Sequence, residues 1–249
     1  MPEAQLLASP LDLIANAAIQ AVFVCTPSHL HRDLVVRCLA EGKHVYCEAP
    51  IATSIEAAGE IVRAARDAWP RWHFQAGLQG RCDPQRKLVA GFLASGVASR
   101  LLFADSQWAH KASWRQAGAS AERREELNWR LDSRRSLGLA GEVAIHSMDA
   151  ANWFFGTRPI AVSGQGACLQ WADDGRDVDD TVHWVMEYPG GVTLQVSCTL
   201  GSSFGGDTEL MHRNWSGRFM PDKSQCRGSG AYYWWRMRAG RASGGMPLR

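Results

Sequence analysis

The sequence predicts an α/β protein in which a partial parallel sheet is followed by an α+β domain with an open antiparallel sheet. Three observations predict it. The runs AVFVC (21–25), HVYCE (44–48) and WHFQAG (72–77) are short, apolar and rich in β-branched and aromatic residues, as suits strands buried in a parallel sheet. Amphipathic helical segments alternate with them. Beyond about residue 99 the pattern changes to apolar–polar alternation of period two, which suits strands with one wet face.

In order along the chain, Pro27 ends the first strand. HRDLVVRCLAEG then puts Leu34, Val35, Cys38 and Leu39 on one side of a helix that stops at Gly42. The second strand leads into Glu48-Ala49-Pro50, a turn tight enough for a cis proline. Thr53 and Glu56 have the spacing of a capping box for the next helix. Residues 21–77 thus read strand, helix, strand, helix, strand, which implies right-handed crossovers with helices on both faces. Asp83 and Pro84 open a further helix that ends at Gly96. Antiparallel strands are expected over 99–109, 159–170, 181–188 and 192–199, the last two as a hairpin around Pro189, Gly190 and Gly191. One helix is expected from about Leu139 to Phe155, closed by Gly156. The predicted domains are 1–79, a partial nucleotide-binding domain, and 80–211, followed by an irregular basic tail, 212–249, whose single acidic residue is Asp222.

Composition excludes several classes. Hydrophobic residues make up 46% and charged residues 21%, which is a globular balance. A net charge of +2 gives no electrostatic reason to expect nucleic acid or an anionic membrane as partner. No apolar run is long enough to span a bilayer, and the first residues lack the pattern of a signal peptide. The seven cysteines form no Cys-x-x-Cys pair, so buried free thiols and a cytoplasmic location are expected.

Three constellations carry candidate chemistry. Thr26, Pro27 and Ser28 stand at the end of the first strand, where α/β proteins place ligands, with His29 and His31 read as solvated. Glu48 and Pro50 stand at the end of the second. Glu142, His146, Asp149 and Trp153, spaced four, three and four, share one stripe of a helix. A histidine between two acids can serve as a proton carrier. Three such groups could also hold a metal, although the order is not the His-Glu-x-x-His zinc pattern, and a solvated helix face reads the same way.

Taken together, AVFVCTPSHLH, GKHVYCEAPIATSIEAA, FQAGLQGRCDP, ASWR, NWRLD, GLAGEVAIHSMDAANWFFG and DGRDVDDTVHWVMEYPGGV resemble the Gfo/Idh/MocA oxidoreductase family, in the family's order from about 20 to 209. The resemblance implies a Rossmann-type domain followed by an α/β domain with an open sheet. It also implies NAD or NADP as cofactor and a sugar, inositol or related polyol as substrate, oxidised or reduced at a hydroxyl carbon. By resemblance Thr26, Pro27 and His29 line the nicotinamide pocket, and Glu48 and Pro50 match Glu-Lys-Pro. Trp114 and Arg115 match a Trp-Arg pair near the cofactor. His146 matches the catalytic histidine, with Glu142 where many members carry an acid; no metal is expected.

Two departures bear on activity. Ala49 replaces the lysine of Glu-Lys-Pro and can neither donate a hydrogen bond nor carry charge, so proton transfer is expected to fall to His146 or another route. The sequence also contains no Gly-x-Gly-x-x-Gly turn, so it reads as truncated relative to the family and is expected to bind nucleotide weakly. Two alternatives stay open: a non-catalytic module that binds sugar or forms a homo-oligomer through the second sheet, and a metal-dependent lyase or hydrolase using Glu142, His146 and Asp149.

Overall fold

Val22 and Val24 of β1 (Ala21–Val24) and Val45 and Cys47 of β2 (His44–Glu48) point into one apolar layer, as two-residue alternation requires. Val35, Cys38 and Leu39 of α2 (His31–Ala40) and Ile61 of α3 (Ile55–Ala68) fill that layer, together with Ile14 of the short α1 (Pro10–Ala15). Strands β1, β2 and β3 (Phe74–Gly77) pair in sequence order and in parallel. In the computed structural model, residues 4–95, 101–213, 217–222 and 234–239 are described. Gly42 ends α2 at φ 70, and a Cβ there would stand 3.0 Å from the Trp72 ring.

Three expectations for this unit need correction. Ser54, not Thr53, caps α3, its hydroxyl accepting from Ala57 N–H at 3.1 Å; either hydroxyl could cap, and the helix starts one residue later than the box spacing suggests. The helices pack on one sheet face only, and Phe23 on the other face is 72% exposed. His31 is not solvated but 1% exposed. The cysteines also divide: Cys38, Cys47 and Cys198 are buried, whereas Cys25 and Cys82 are exposed.

The chain separates into two compact units, Met1–Leu78 with Asp132–Leu137, and Gln79–Leu131 with Gly138–Arg249. The second unit is therefore interrupted rather than continuous from residue 80. The polar turn Asp132–Leu137, which has no apolar periodicity to mark it, belongs to the first unit.

In the second unit, Asp83 caps α4 (Pro84–Ala94), its carboxylate accepting from Gln85 N–H at 2.8 Å. A seven-stranded sheet follows the order β10-β9-β8-β4-β7-β6-β5. Its members are β4 (Leu101–Lys111), β5 (Ala161–Ala167), β6 (Thr181–Tyr188), β7 (Val192–Thr199), β8 (Gly201–Arg213), β9 (Gly217–Asp222) and β10 (Trp234–Ala239). Strands β5, β6 and β7 are antiparallel, and β6 and β7 form the hairpin around Pro189–Gly191, with Gly190 and Gly191 at φ 81 and 78. The sheet is mixed, however, because β4 runs parallel to β7. After β7 the chain turns at Leu200 around the end of β4, where Ala112 N–H donates to Leu200 O at 3.1 Å, and β8 runs back along the other edge of β4. The stretch read as an irregular tail contains β9, β10 and the end of β8; its other residues lie outside those described.

The expected single helix 139–155 is two: α6 (Gly138–Glu142) and α7 (Ile145–Phe155). Both Val143 and Ala144 donate to Leu139 O, at 3.2 and 3.0 Å, so the turn widens to i→i−5 at Ala144 and the ladder breaks. A short α5 (Ala121–Leu127) precedes them. Leu139, Ala144 and Ala151 pack with Leu194, Val196 and Leu200 in one core. No helix among the described residues is long and apolar enough to cross a membrane.

Candidate functional site

In the first unit, the candidate residues gather at the carboxyl ends of β1 and β2. The Thr26 hydroxyl is buried, and no described group bonds to it. Beyond Pro27, a 3-10 turn (Ser28–Leu30) carries His29, whose imidazole is pushed below its ordinary pKa by burial first and then by the Arg135 guanidinium. His31 joins the two strand ends, with Nδ1 2.9 Å from Pro50 O and Nε2 2.7 Å from Thr26 O. The Ala49–Pro50 peptide is cis. Tyr46 Oη donates to Glu48 Oε1 at 3.4 Å. Opposite Glu48 in register lies Gly77, where a Cβ would come within 2.7 Å of Glu48 Oε2 and 2.8 Å of its Cα, so the absent side chain makes room for the carboxylate. Thr26, Pro27, Glu48, Ala49 and Pro50 are thus held as one group.

In the second unit, the break between α6 and α7 places Glu142 and His146 on the wall of a cavity of about 360 Å³. Arg86, Ser106, Trp108 and Asp207 share that wall. The Glu142 side chain is 6% exposed, with Arg130 Nε 3.8 Å from its Oε2. Ser106 on β4 and Ser147 on α7 share a hydroxyl bond of 2.7 Å. The wall is therefore rich in groups that exchange hydrogen bonds with hydroxyls, beside one indole face. Three carboxylates, Asp83, Glu142 and Asp207, line it together with Arg86 and His146.

The rest of the stripe is engaged elsewhere. Asp149 is held in a fork by Arg81, with Nε–Oδ2 at 2.8 Å and Nη2–Oδ1 at 2.7 Å. The same guanidinium lies 5.1 Å from the Trp153 ring, and the fork raises the Arg81 pKa further. Among the described residues, no three acids, histidines or cysteines form a metal-ligand set. Trp114 and Arg115 do not line the cavity. Trp114 has φ 63, unusual for a residue with a side chain, and packs on the core 6.4 Å from Trp108. Arg176, whose side chain is fully buried, donates to Ser113 O just before it and to Asp174.

Two family models match, the oxidoreductase family with NAD-binding Rossmann fold over residues 2–72 and the GFO/IDH/MocA C-terminal domain over 89–212. The chain belongs to the Gfo/Idh/MocA oxidoreductase family. An inositol 2-dehydrogenase from Rubrobacter xylanophilus is 32% identical over 152 residues, which is 61% of this chain and 38% of that protein. A 2,7-anhydro-N-acetylneuraminate hydratase from Escherichia coli is 28% identical over 188 residues, 74% of this chain and 46% of that protein. The WlbA dehydrogenase from Bordetella pertussis, solved with NADH and UDP-GlcNAcA, superposes with a TM-score of 0.74 at 19% identity. The match covers 88% of this chain and 62% of that one, a likeness of fold. The chain thus spans about half, or less, of the length of these curated relatives.

Within the family frame, Ala49 stands where Glu-Lys-Pro has its lysine, and no positive charge replaces it at that position. Arg81, Ser106, Arg86 and Asp207 escaped the reading of the sequence. Ser106 and Trp108 did carry a signal, since they alternate with Ala104 on the helix-covered side of β4. Arg81, Arg86 and Asp207 carried none, because their roles depend on elements distant in sequence.

Proposed function

We propose that this chain carries the nicotinamide-contacting and proton-transferring parts of an NAD(P)-dependent oxidoreductase acting at a hydroxyl carbon of a sugar, inositol or related polyol. The observation that carries this reading is the cavity shared by Glu142 and His146, lined by hydroxyl-bonding groups and one indole. Family membership, the inositol dehydrogenase relative and the NADH-bound structural neighbour support it.

The fit of the cofactor is tested by the strand ends. The buried Thr26 hydroxyl, which no described group satisfies, and the space kept open by Gly77 beside Glu48 suit the amide-bearing nicotinamide ring. When bound, the nicotinamide accepts or supplies the hydride. His146 takes the proton from the substrate hydroxyl in oxidation and returns it in reduction. Glu142, buried four residues before it and lining the same cavity, is the acid placed to orient the imidazole. Arg81 keeps Asp149 out of that role by occupying both carboxylate oxygens. The place of Trp114 and Arg115 near the cofactor is proposed from the family resemblance of the Trp-Arg pair. Asp149's engagement leaves the metal-dependent alternative without its third ligand.

The sequence has no glycine-rich phosphate turn, so binding rests on the nicotinamide end. Isothermal titration is expected to give NADH and reduced nicotinamide mononucleotide similar dissociation constants, about millimolar. A low-micromolar constant for NADH alone would show a phosphate site built from other residues. Absence of binding by either ligand would favour the second reading, a non-catalytic sugar-binding or oligomer-forming module. The observation on that side is β5, the edge of the sheet, with Val162 65% and the adjoining Ile160 71% exposed.

A further inference from the structure

Ser106 is a polar residue in an apolar layer. It follows the buried Ala104 by two residues on β4, its register partner on β7 is the fully buried Val196, and it is itself 6% exposed. Its hydroxyl donates to that of Ser147 on α7 at 2.7 Å. Both serines line the cavity that holds Glu142 and His146, and every residue of that wall belongs to the second unit.

Two hydroxyls bring two protons and four lone pairs. The shared bond uses one proton and one lone pair, whichever serine donates. One O–H is left over in either direction, and no other described group accepts it. A tie between strand and helix needs only the first proton. An O–H on a cavity wall is satisfied by water until a ligand displaces that water, and then by the ligand. The ligand must therefore offer an oxygen at this point. The leftover lone pairs let the pair accept as well, so a hydroxyl fits in both senses.

That oxygen is not the one served by His146. Neighbouring residues on α7 stand about 100° apart around the helix axis, so the imidazole and the Ser147 hydroxyl diverge. They address separate points of one cavity.

We propose that Ser106 and Ser147 form a specificity-determining subsite that donates a hydrogen bond to a second substrate hydroxyl, so that the cavity takes polyols rather than simple alcohols. The pairing of the reacting oxygen with His146 rests on the proposed function; the subsite itself requires only that a polyol enters the cavity.

The test is calorimetric titration of the whole chain, without cofactor and again with excess NADH, using myo-inositol and its monodeoxy analogues. In the parent, loss of one particular hydroxyl should weaken binding about tenfold, because the serine O–H is then orphaned. The double variant Ser106→Ala, Ser147→Ala removes both partners together and leaves no orphaned group. It should bind myo-inositol about tenfold more weakly and no longer distinguish that one analogue, so the two losses are not additive. Each single variant keeps one hydroxyl and should retain part of the discrimination, whereas a purely structural tie would be lost in full by either. A double variant that discriminates as the parent does, or a parent that binds myo-inositol and all its analogues alike or binds none of them, would overturn the subsite. Turnover is read separately. Non-additive binding without any turnover would overturn the oxidoreductase reading and leave the subsite standing; turnover with additive losses would do the reverse.

Discussion

Replacing Asp180 with asparagine should lower the melting temperature by about 4–20 °C, and the size follows from the hydrogen bonds. Asp180 is fully buried. Its Oδ1 accepts from Leu169 N–H at 3.0 Å and from the Thr181 hydroxyl at 2.9 Å. Its Oδ2 accepts from Gln170 N–H and Trp171 N–H, both at 2.7 Å. Asparagine keeps the shape but turns one acceptor into a donor. The less costly orientation puts the new NH₂ at the Oδ1 position, where the Thr181 hydroxyl can rotate toward Thr199 Oγ1, 2.9 Å away. Leu169 N–H is then orphaned, at about 1–3 kcal/mol. The two remaining short bonds lose their charge assistance, which adds about 1–2 kcal/mol. The sum, about 2–5 kcal/mol, converts at roughly 2–4 °C per kcal/mol for a protein of this size. Near-ultraviolet circular dichroism during heating is the assay, because Trp171 is tied to the same loop, its indole N–H donating to Leu200 O at 2.9 Å. Acid should show the same interaction. Burial raises the Asp180 pKa, but the main-chain and hydroxyl donors outweigh it, and the folded value lies below the ordinary one. Its stabilisation is therefore full above the unfolded value of about 3.9 and fades as pH falls through the folded value. The asparagine variant should lose less stability over that window than the parent. An asparagine variant that melts within about 1 °C of the parent would refute the reasoning, since a buried acceptor set of this kind cannot be removed without cost.

Further outcomes are expected. Gly77→Ala places a Cβ 2.7 Å from Glu48 Oε2 and 2.8 Å from its Cα; the backbone contact cannot rotate away, so the urea midpoint should fall by the equivalent of about 1–3 kcal/mol. An unchanged midpoint would mean the strand end accommodates a side chain. Arg81→Met should cost about 1–3 kcal/mol by orphaning Asp149, whose side chain is 15% exposed. Arg81→Lys should recover only part, because an ammonium cannot reproduce the fork; full recovery would reduce the contact to simple charge. Asp132 is held at a pKa of about 2, chiefly by hydrogen bonds from Arg134. That depressed value means the turn contact persists above the unfolded value of about 3.9 and is lost as pH falls toward 2; carboxyl chemical shifts that instead titrate near 4 would contradict it.

The first unit was legible because each signal is local. Its strands are single apolar runs, its helices have one apolar face, and Gly42 marks a helix end by positive φ, as Gly156 does in the second unit. Ser54 against Thr53 was undecidable from spacing, since both are competent caps. The break at Val143 and Ala144 left no mark, as neither residue disfavours helix strongly and the widened turn depends on packing. The parallel pairing of β4 with β7 was hidden as well. Alternation sets which face a side chain takes, not the direction of a partner some ninety residues away. In the candidate site, Glu142 and His146 were readable from their spacing, whereas Asp149 looked equivalent until Arg81 claimed it. The same geometry that makes i, i+3 and i, i+4 neighbours visible says nothing about what approaches them from another element.

The most direct test of the proposed reaction is turnover at millimolar NAD or NADP with a panel of inositols and sugars, followed as absorbance of the reduced nicotinamide, for the parent chain and for His146→Ala. Measurable reduction by the parent with at least one polyol is expected, and a fall in kcat of about a hundredfold or more when the imidazole is removed. Equal turnover by the two proteins would remove His146 from the chemistry, and reduction by neither, with NADH binding intact, would contradict the oxidoreductase reading itself.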